Sequence, residues 1–155
     1  GIIEGNDIRN VQGLGIIVNN EPSWPVGPIP HEVVIRNNHV ENVGNDLWYT
    51  RPPYGAGILV RGSRQANQPA RERLIRDIVI ENNVVIDPRG AGIFVGSVED
   101  LRVRGNRVEL DDRVLDVEEP GAGIELFNVA GEVVEENTVI DRQNHYVEQI
   151  RILQP

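Results

Sequence analysis

The chain lacks cysteine, methionine and lysine altogether, and each absence removes a class of chemistry. Without cysteine there is no disulfide support, no thiolate nucleophile and no thiolate metal site. Without lysine there is no Schiff base and no lysine general base; all 15 basic residues are arginine. Aromatics are scarce, at 5%. Positive charge is short as well, with a formal net charge of −9 and a pI near 4.8. That balance argues against nucleic acid or an anionic membrane surface as partner, since both need a positive face. It also disfavours an acidic polysaccharide unless a cation bridges the two. No run approaches the roughly 20 apolar residues needed to cross a bilayer as a helix. The first residue is glycine, and no signal-peptide pattern opens the chain. The expectation is therefore a processed chain or a piece of a longer one.

What the sequence does have is one phrase repeated five times around an asparagine: Asn6, Asn38, Asn83, Asn106 and Asn137. Each copy places an aliphatic residue three before the asparagine and another two after it. A second phrase, Gly-x-Gly followed by Ile-x-aliphatic, alternates with the first at Gly13, Gly55, Gly90 and Gly121. The asparagines are 32, 45, 23 and 31 residues apart, so the bare repeat is 23 residues and the rest carry insertions at two corners. Fixed-period repetition of short strand signals is the mark of a solenoid, in which each repeat buries its apolar face only against its neighbours.

Period-2 alternation with β-branched residues is a strand pattern. It predicts three inward stacks. Ile3, Ile35, Ile80, Val103 and Val134 form the first, and Ile8, Val40, Val85, Val108 and Val139 the second. Ile16, Ile58, Ile93 and Ile124 form the third, with Val18, Val60, Val95 and Leu126 beside them. The asparagines then line up at one corner, where each side-chain amide can bond to backbone and to the next asparagine. The glycines suit a turn of positive φ or a close approach of coils. The last repeat is irregular: its final strand is expected near 147–152, with no Gly-x-Gly before it.

These motifs resemble the right-handed parallel β-helix of the pectin-lyase-like superfamily, over nearly the whole chain. The resemblance implies an all-β, single-stranded right-handed parallel β-helix of about five coils, a single domain spanning 1–155. That superfamily includes lyases, hydrolases, epimerases, tailspikes and passive surface proteins, so the fold does not fix the activity. In its enzymes the strand equivalent to Gly-Ile-x-Val floors a saccharide cleft and loops at its corners wall it. Here the insertions flank that strand: 43–54 and 109–120 before it, 19–31 and 61–73 after it. With coils about 4.8 Å apart, the two preceding loops would stand roughly 10 Å apart across coil three. Asp87, Arg89 and Phe94 would lie between them.

Within those loops, Trp48, Tyr49 and Tyr54 gather three of the seven aromatics, and Trp24 lies in another insertion. Aromatic faces stack on sugar rings, and Arg61 and Arg89 can bond hydroxyls. The same aromatics equally serve to pin their own loops down. A glycosidase needs two carboxylates, about 6.5–9.5 Å apart for inversion or about 5 Å for retention. Asp46 in one loop and Glu118 or Glu119 in the other are candidates across the notch, at the wider distance. Glu125 is the one carboxylate facing outward from the flooring strand, beside Ile17, Leu59 and Phe94, surroundings that suit a general acid. As an ordinary exposed strand residue, Glu125 would instead sit beside Arg61 or Arg89.

A lyase reading would rest on Arg51 or Arg61 as base, although arginine stays protonated near neutral pH. The flooring strands lack the paired aspartates and histidine-glycine of polygalacturonase-like hydrolases and the calcium-holding aspartates of pectate lyases. Arg51-Pro52-Pro53 echoes the arginine motif of those lyases only in part. His31, His39 and His145 fall in different repeats, so no zinc set is expected. The acidic stretch Asp111, Asp112, Asp116, Glu118 and Glu119 would at most hold Ca²⁺, without a D-x-D-x-D pattern; no cofactor is expected otherwise.

Two functions remain: an extracellular or cell-surface polysaccharide-processing or polysaccharide-binding β-helix, or a structural module stacking end to end. In the second, the partner is another copy or the remainder of a longer chain.

Overall fold

The computed structural model describes residues 1–20, 28–44, 55–65, 68–111 and 121–155, with the side chains of residues 64, 65, 68 and 69 left aside. Fifteen strands and no helix make up the described residues. Three strands build most coils. Coil one holds β1 (Ile2–Glu4), β2 (Asp7–Val11) and β3 (Ile16–Asn20). Coil two holds β4 (His31–Arg36), β5 (His39–Val43) and β6 (Ile58–Gln65). A two-residue strand, β7 (Gln68–Pro69), folds back antiparallel on β6. Coil three begins with β8 (Ile75–Glu81) and β9 (Val84–Pro88). From there β10 (Ile93–Arg104) runs on into coil four, followed by β11 (Arg107–Leu110). Likewise β12 (Ala122–Ala130) leads into coil five, with β13 (Val133–Glu135), β14 (Thr138–Asp141) and β15 (Glu148–Leu153).

Apart from the β6–β7 turn, every pairing is parallel and joins a strand to its counterpart in the next coil. The register matches the three expected stacks. Ile3 pairs with Ile35, Ile35 with Ile80, Ile80 with Val103 and Val103 with Val134. Ile8, Val40, Val85, Val108 and Val139 follow one another in the second stack. Ile16, Ile58, Ile93 and Ile124 form the third, which Ile150 of the irregular coil extends. In the middle coils these side chains are fully buried in one continuous core. Because each strand buries one face, a one-residue slip would turn every aliphatic outward, so the pattern fixes the register.

The corner between the first and second stacks is the asparagine ladder. Asn83 donates its backbone N–H and its Nδ2 to Oδ1 of Asn106 at 3.0 and 2.9 Å. Its second amide hydrogen goes to the Ile35 carbonyl at 2.9 Å, and its own Oδ1 accepts two bonds from Asn38. Asn6, Asn38 and Asn106 repeat the same forward donation. The middle three asparagines are at most 2% exposed, and such burial is tolerable because the amides are saturated. The residue before each ladder asparagine takes positive φ: Gly5, Asn37, Asn82, Gly105 and Glu136. Glycine and asparagine accept that conformation with least strain.

At the opposite corner the second glycine of each Gly-x-Gly phrase is a point of close approach, not of positive φ. A Cβ on Gly57 would stand 2.8 Å from the Gly92 carbonyl oxygen and would clash with a methyl of Val85. Gly92 faces the Gly123 carbonyl at 2.9 Å and Val108 in the same way. The glycines therefore let the coil above lay its second-stack valine over the turn.

Candidate functional site

The expected saccharide floor has the predicted register. Ile17, Leu59, Phe94 and Glu125 follow one another along the outward row of the third stack, and Arg151 continues it. The floor is nevertheless covered. Ile17 is 52% exposed, but Leu59 is 0%, Phe94 4% and Glu125 6% exposed. Leu59 and Phe94 pack with Ala56, Leu14, Ala91 and Phe127 into a second apolar cluster outside the main core. The open apolar floor expected from the strand pattern is thus closed beyond coil one.

Glu125 is not free to act as an isolated acid. Arg151 donates its Nη2 to Glu125 Oε2 at 2.7 Å, and the carboxylate has 7% side-chain exposure. The pair joins β12 to β15 and matches the ordinary strand role weighed for Glu125, with Arg151 in place of Arg61 or Arg89. Arg61 is 2% exposed and lies one outward row further along β6, in register with Asn19 and Gly96. Arg89 is half-buried after β9, its N–H bonded to the Val43 carbonyl at 3.1 Å. Asp46, Trp48, Tyr49, Arg51 and Tyr54, like Trp24 and Glu119, lie outside the described residues, so the two walls of the notch are not placed.

The acidic stretch contributes one described residue, Asp111, which accepts a hydrogen bond from Arg142 at 2.5 Å. No group of three metal-ligating side chains occurs among the described residues. The histidines stay apart, His39 on Glu41 at 2.9 Å and His145 on Gln143 at 2.8 Å.

A groove does open, on a different face. It has a volume of about 430 Å³ and runs over the outward side of the first stack. Its floor includes Val34, Val79 and Val133, with Arg102 between them. Along one side stand Glu32, Asp77 and Asp100, one per coil, at successive register positions ahead of Val33, Ile78 and Leu101. All three take positive φ. They sit six residues before a ladder asparagine, so the column was present in the sequence but was not read from it.

The next outward row is a ladder of alternating charge: Glu4, Arg36, Glu81, Arg104 and Glu135. Arg36 Nε bonds Glu4 at 2.9 Å and Arg104 Nη2 bonds Glu81 at 2.7 Å. The Arg36 hydrogen bond holds the Glu4 carboxyl below its ordinary value, and bonding to Glu81 raises Arg104.

A parallel three-sided solenoid with a buried asparagine ladder defines the class: a single-stranded β-helix. The family model described as right handed beta helix region matches residues 31–152, and the chain belongs to that family. No curated protein and no solved structure matches the chain significantly.

Proposed function

We propose that this β-helix binds a linear polysaccharide along the groove over the first stack, at a cell surface or outside the cell. The observation that carries the reading is the repetition within the groove: a carboxylate in each of three successive coils, Glu32, Asp77 and Asp100, with Val34 and Val79 beside the first two, at the coil spacing of about 4.8 Å. A repeating polymer lying along the helix axis would meet a carboxylate at each of these three steps. Its hydroxyls would donate to Glu32, Asp77 and Asp100, and its ring faces would lie on Val34 and Val79. The groove volume falls within the usual range for ligand sites, which join apolar walls to a few placed polar groups.

This reading moves the ligand away from the Gly-Ile-x-Val strand. The paired Glu125 and the burial of Leu59 and Phe94 favour the move. Hydrolysis or elimination by Asp46, Glu119, Arg51 or Glu125 belongs to the competing location.

The test is calorimetric binding over a panel of neutral and acidic polysaccharides, with reducing ends and unsaturated products read in parallel. In Asp77→Asn/Asp100→Asn, asparagine keeps the positive φ at little strain. That variant is expected to weaken binding roughly tenfold or more, two lost charged acceptors being worth that much. Trp48→Ala and Glu125→Gln are expected to leave binding unchanged. The reverse pattern would return the ligand to the third-stack strand, and no binding across the panel would overturn the proposal.

A further inference from the structure

The carboxylate column of the groove and the charge row beside it treat like charges differently. Along the row, Arg36 donates to Glu4 at 2.9 Å and Arg104 to Glu81 at 2.7 Å, so successive coils alternate in sign. Along the column, Glu32, Asp77 and Asp100 follow one another at successive coils with no cation between them. Glu32 and Asp100 are exposed, and neither carboxylate has a hydrogen-bond or ion-pair partner among the described residues. Asp77 has only Arg76, at 3.9 Å, with both side chains open to solvent.

Like charges at directly opposed strand positions destabilise a sheet. The fold carries this column unrelieved and leaves room for it. A Cβ on Gly131, the next position of the column, would stand 2.7 Å from Asp100 Oδ1. Among the described lining residues Arg102 is the one cation, against three carboxylates, and the whole chain carries −9. Positive charge on the ligand complements such a groove. The carboxylates are strung along the axis rather than gathered about a point, which suits charge distributed along a polymer. Val34 and Val79 offer ring faces a surface beside the first two carboxylates. Sugar rings advance by close to one coil spacing, whereas same-face side chains of an extended peptide recur about every 6.6 Å, out of step with coils about 4.8 Å apart.

We infer that the polysaccharide of the groove is a polymer of amino sugars, its ammonium groups held by Glu32, Asp77 and Asp100. The inference rests on the groove being the polysaccharide site and names the substrate class of that site. Ammonium groups relieve the repulsion within the column, while an acidic polymer adds to it and is disfavoured.

The test compares two linear oligomers of equal length, a glucosamine oligomer and its fully N-acetylated counterpart, by calorimetry at mildly acidic pH, where the sugar amines are protonated. The glucosamine oligomer is expected to bind roughly tenfold tighter, as three exposed ion pairs together allow, and the preference should shrink as salt is raised. In Asp77→Asn/Asp100→Asn the preference should fall severalfold. Equal binding of the two oligomers, or a preference that the double variant leaves intact, would overturn the inference and leave the groove as a polysaccharide site. Failure of both oligomers to bind would also overturn it, and the groove site falls with it only if the whole polysaccharide panel is silent. A lysine oligomer bound as tightly, with the same response to the double variant, would make the partner a basic peptide and sink the amino-sugar assignment. If circular dichroism shows the double variant unfolded, Arg102→Gln decides. Removing that cation should raise the preference severalfold, and an unchanged or smaller preference would count against the inference and end it.

Discussion

The ladder corner and the glycine corner face the same geometric demand, a chain that turns sharply every coil while neighbours stay about 4.8 Å apart. They meet it in opposite ways. At the ladder corner the turn is filled: a buried amide takes up the polar backbone groups that the turn strips from the strands. At the other corner the turn is emptied, and Gly15, Gly57, Gly92 and Gly123 leave the room that a valine of the next coil occupies. The filled corner should be sensitive to loss of hydrogen-bonding groups and the emptied one to added atoms.

The largest expected effect is at the middle of the filled corner. Asn83→Ala removes four hydrogen bonds and leaves the Asn38 donors and the Ile35 carbonyl buried without those partners. A loss of about 3–5 kcal/mol is expected, since each unsatisfied buried group costs about 1–3 kcal/mol. Asn6→Ala, in an exposed coil with no incoming bond, should lose about 1 kcal/mol. Urea unfolding of both variants measures the difference. Equal losses would show that the ladder does not act through burial.

Next comes the emptied corner. A methyl group at Gly92 would stand 2.6 Å from Val108 Cγ2 and 2.9 Å from the Gly123 carbonyl oxygen. Gly92→Ala is expected to destabilise by about 2–3 kcal/mol, the usual range for overpacking. Val108→Ala removes the side-chain half of the clash and leaves the carbonyl half. The double variant should therefore be less destabilised than the sum of the singles. Strict additivity in the thermal unfolding cycle would mean that the two residues do not share the space.

Both corners were largely legible in the sequence, for physical reasons. The ladder asparagine recurs between aliphatics at fixed offsets, so aligning Asn6, Asn38, Asn83, Asn106 and Asn137 aligns every strand that follows. The same alignment carried three columns that went unread: the positive-φ position just before the asparagine, the charge row two before it, and the groove carboxylates six before it. Each is a column across coils rather than a motif along the chain. The partner of Glu125 was harder to find. Arg151 lies in the coil without a Gly-x-Gly phrase, where nothing anchors the register from sequence alone. Nor could strand alternation show that Leu59 and Phe94 are covered, because it separates inside from outside and cannot tell an exposed outside from one packed against a second cluster.

The smallest expected effect sits on the charge row beside the filled corner. The Arg36 guanidinium, bonding Glu4, holds that carboxyl below its ordinary value of 4.5, and Arg9 does the same for Asp7 relative to 3.8. A depressed folded-state value means that the unfolded chain binds protons first as the pH falls. The stabilisation is therefore present in full above these ordinary values and is lost as the pH drops through the lower folded values. Arg36→Gln should lower the neutral plateau of the melting-temperature profile slightly and leave its acid end unchanged, so that the limb below about pH 4.5 is flatter. Both partners are well exposed, at 38% and 43%, so the change should be slight and should shrink further as salt is raised. An Arg36→Gln profile that falls as steeply as the original would show that the row contributes nothing to folding.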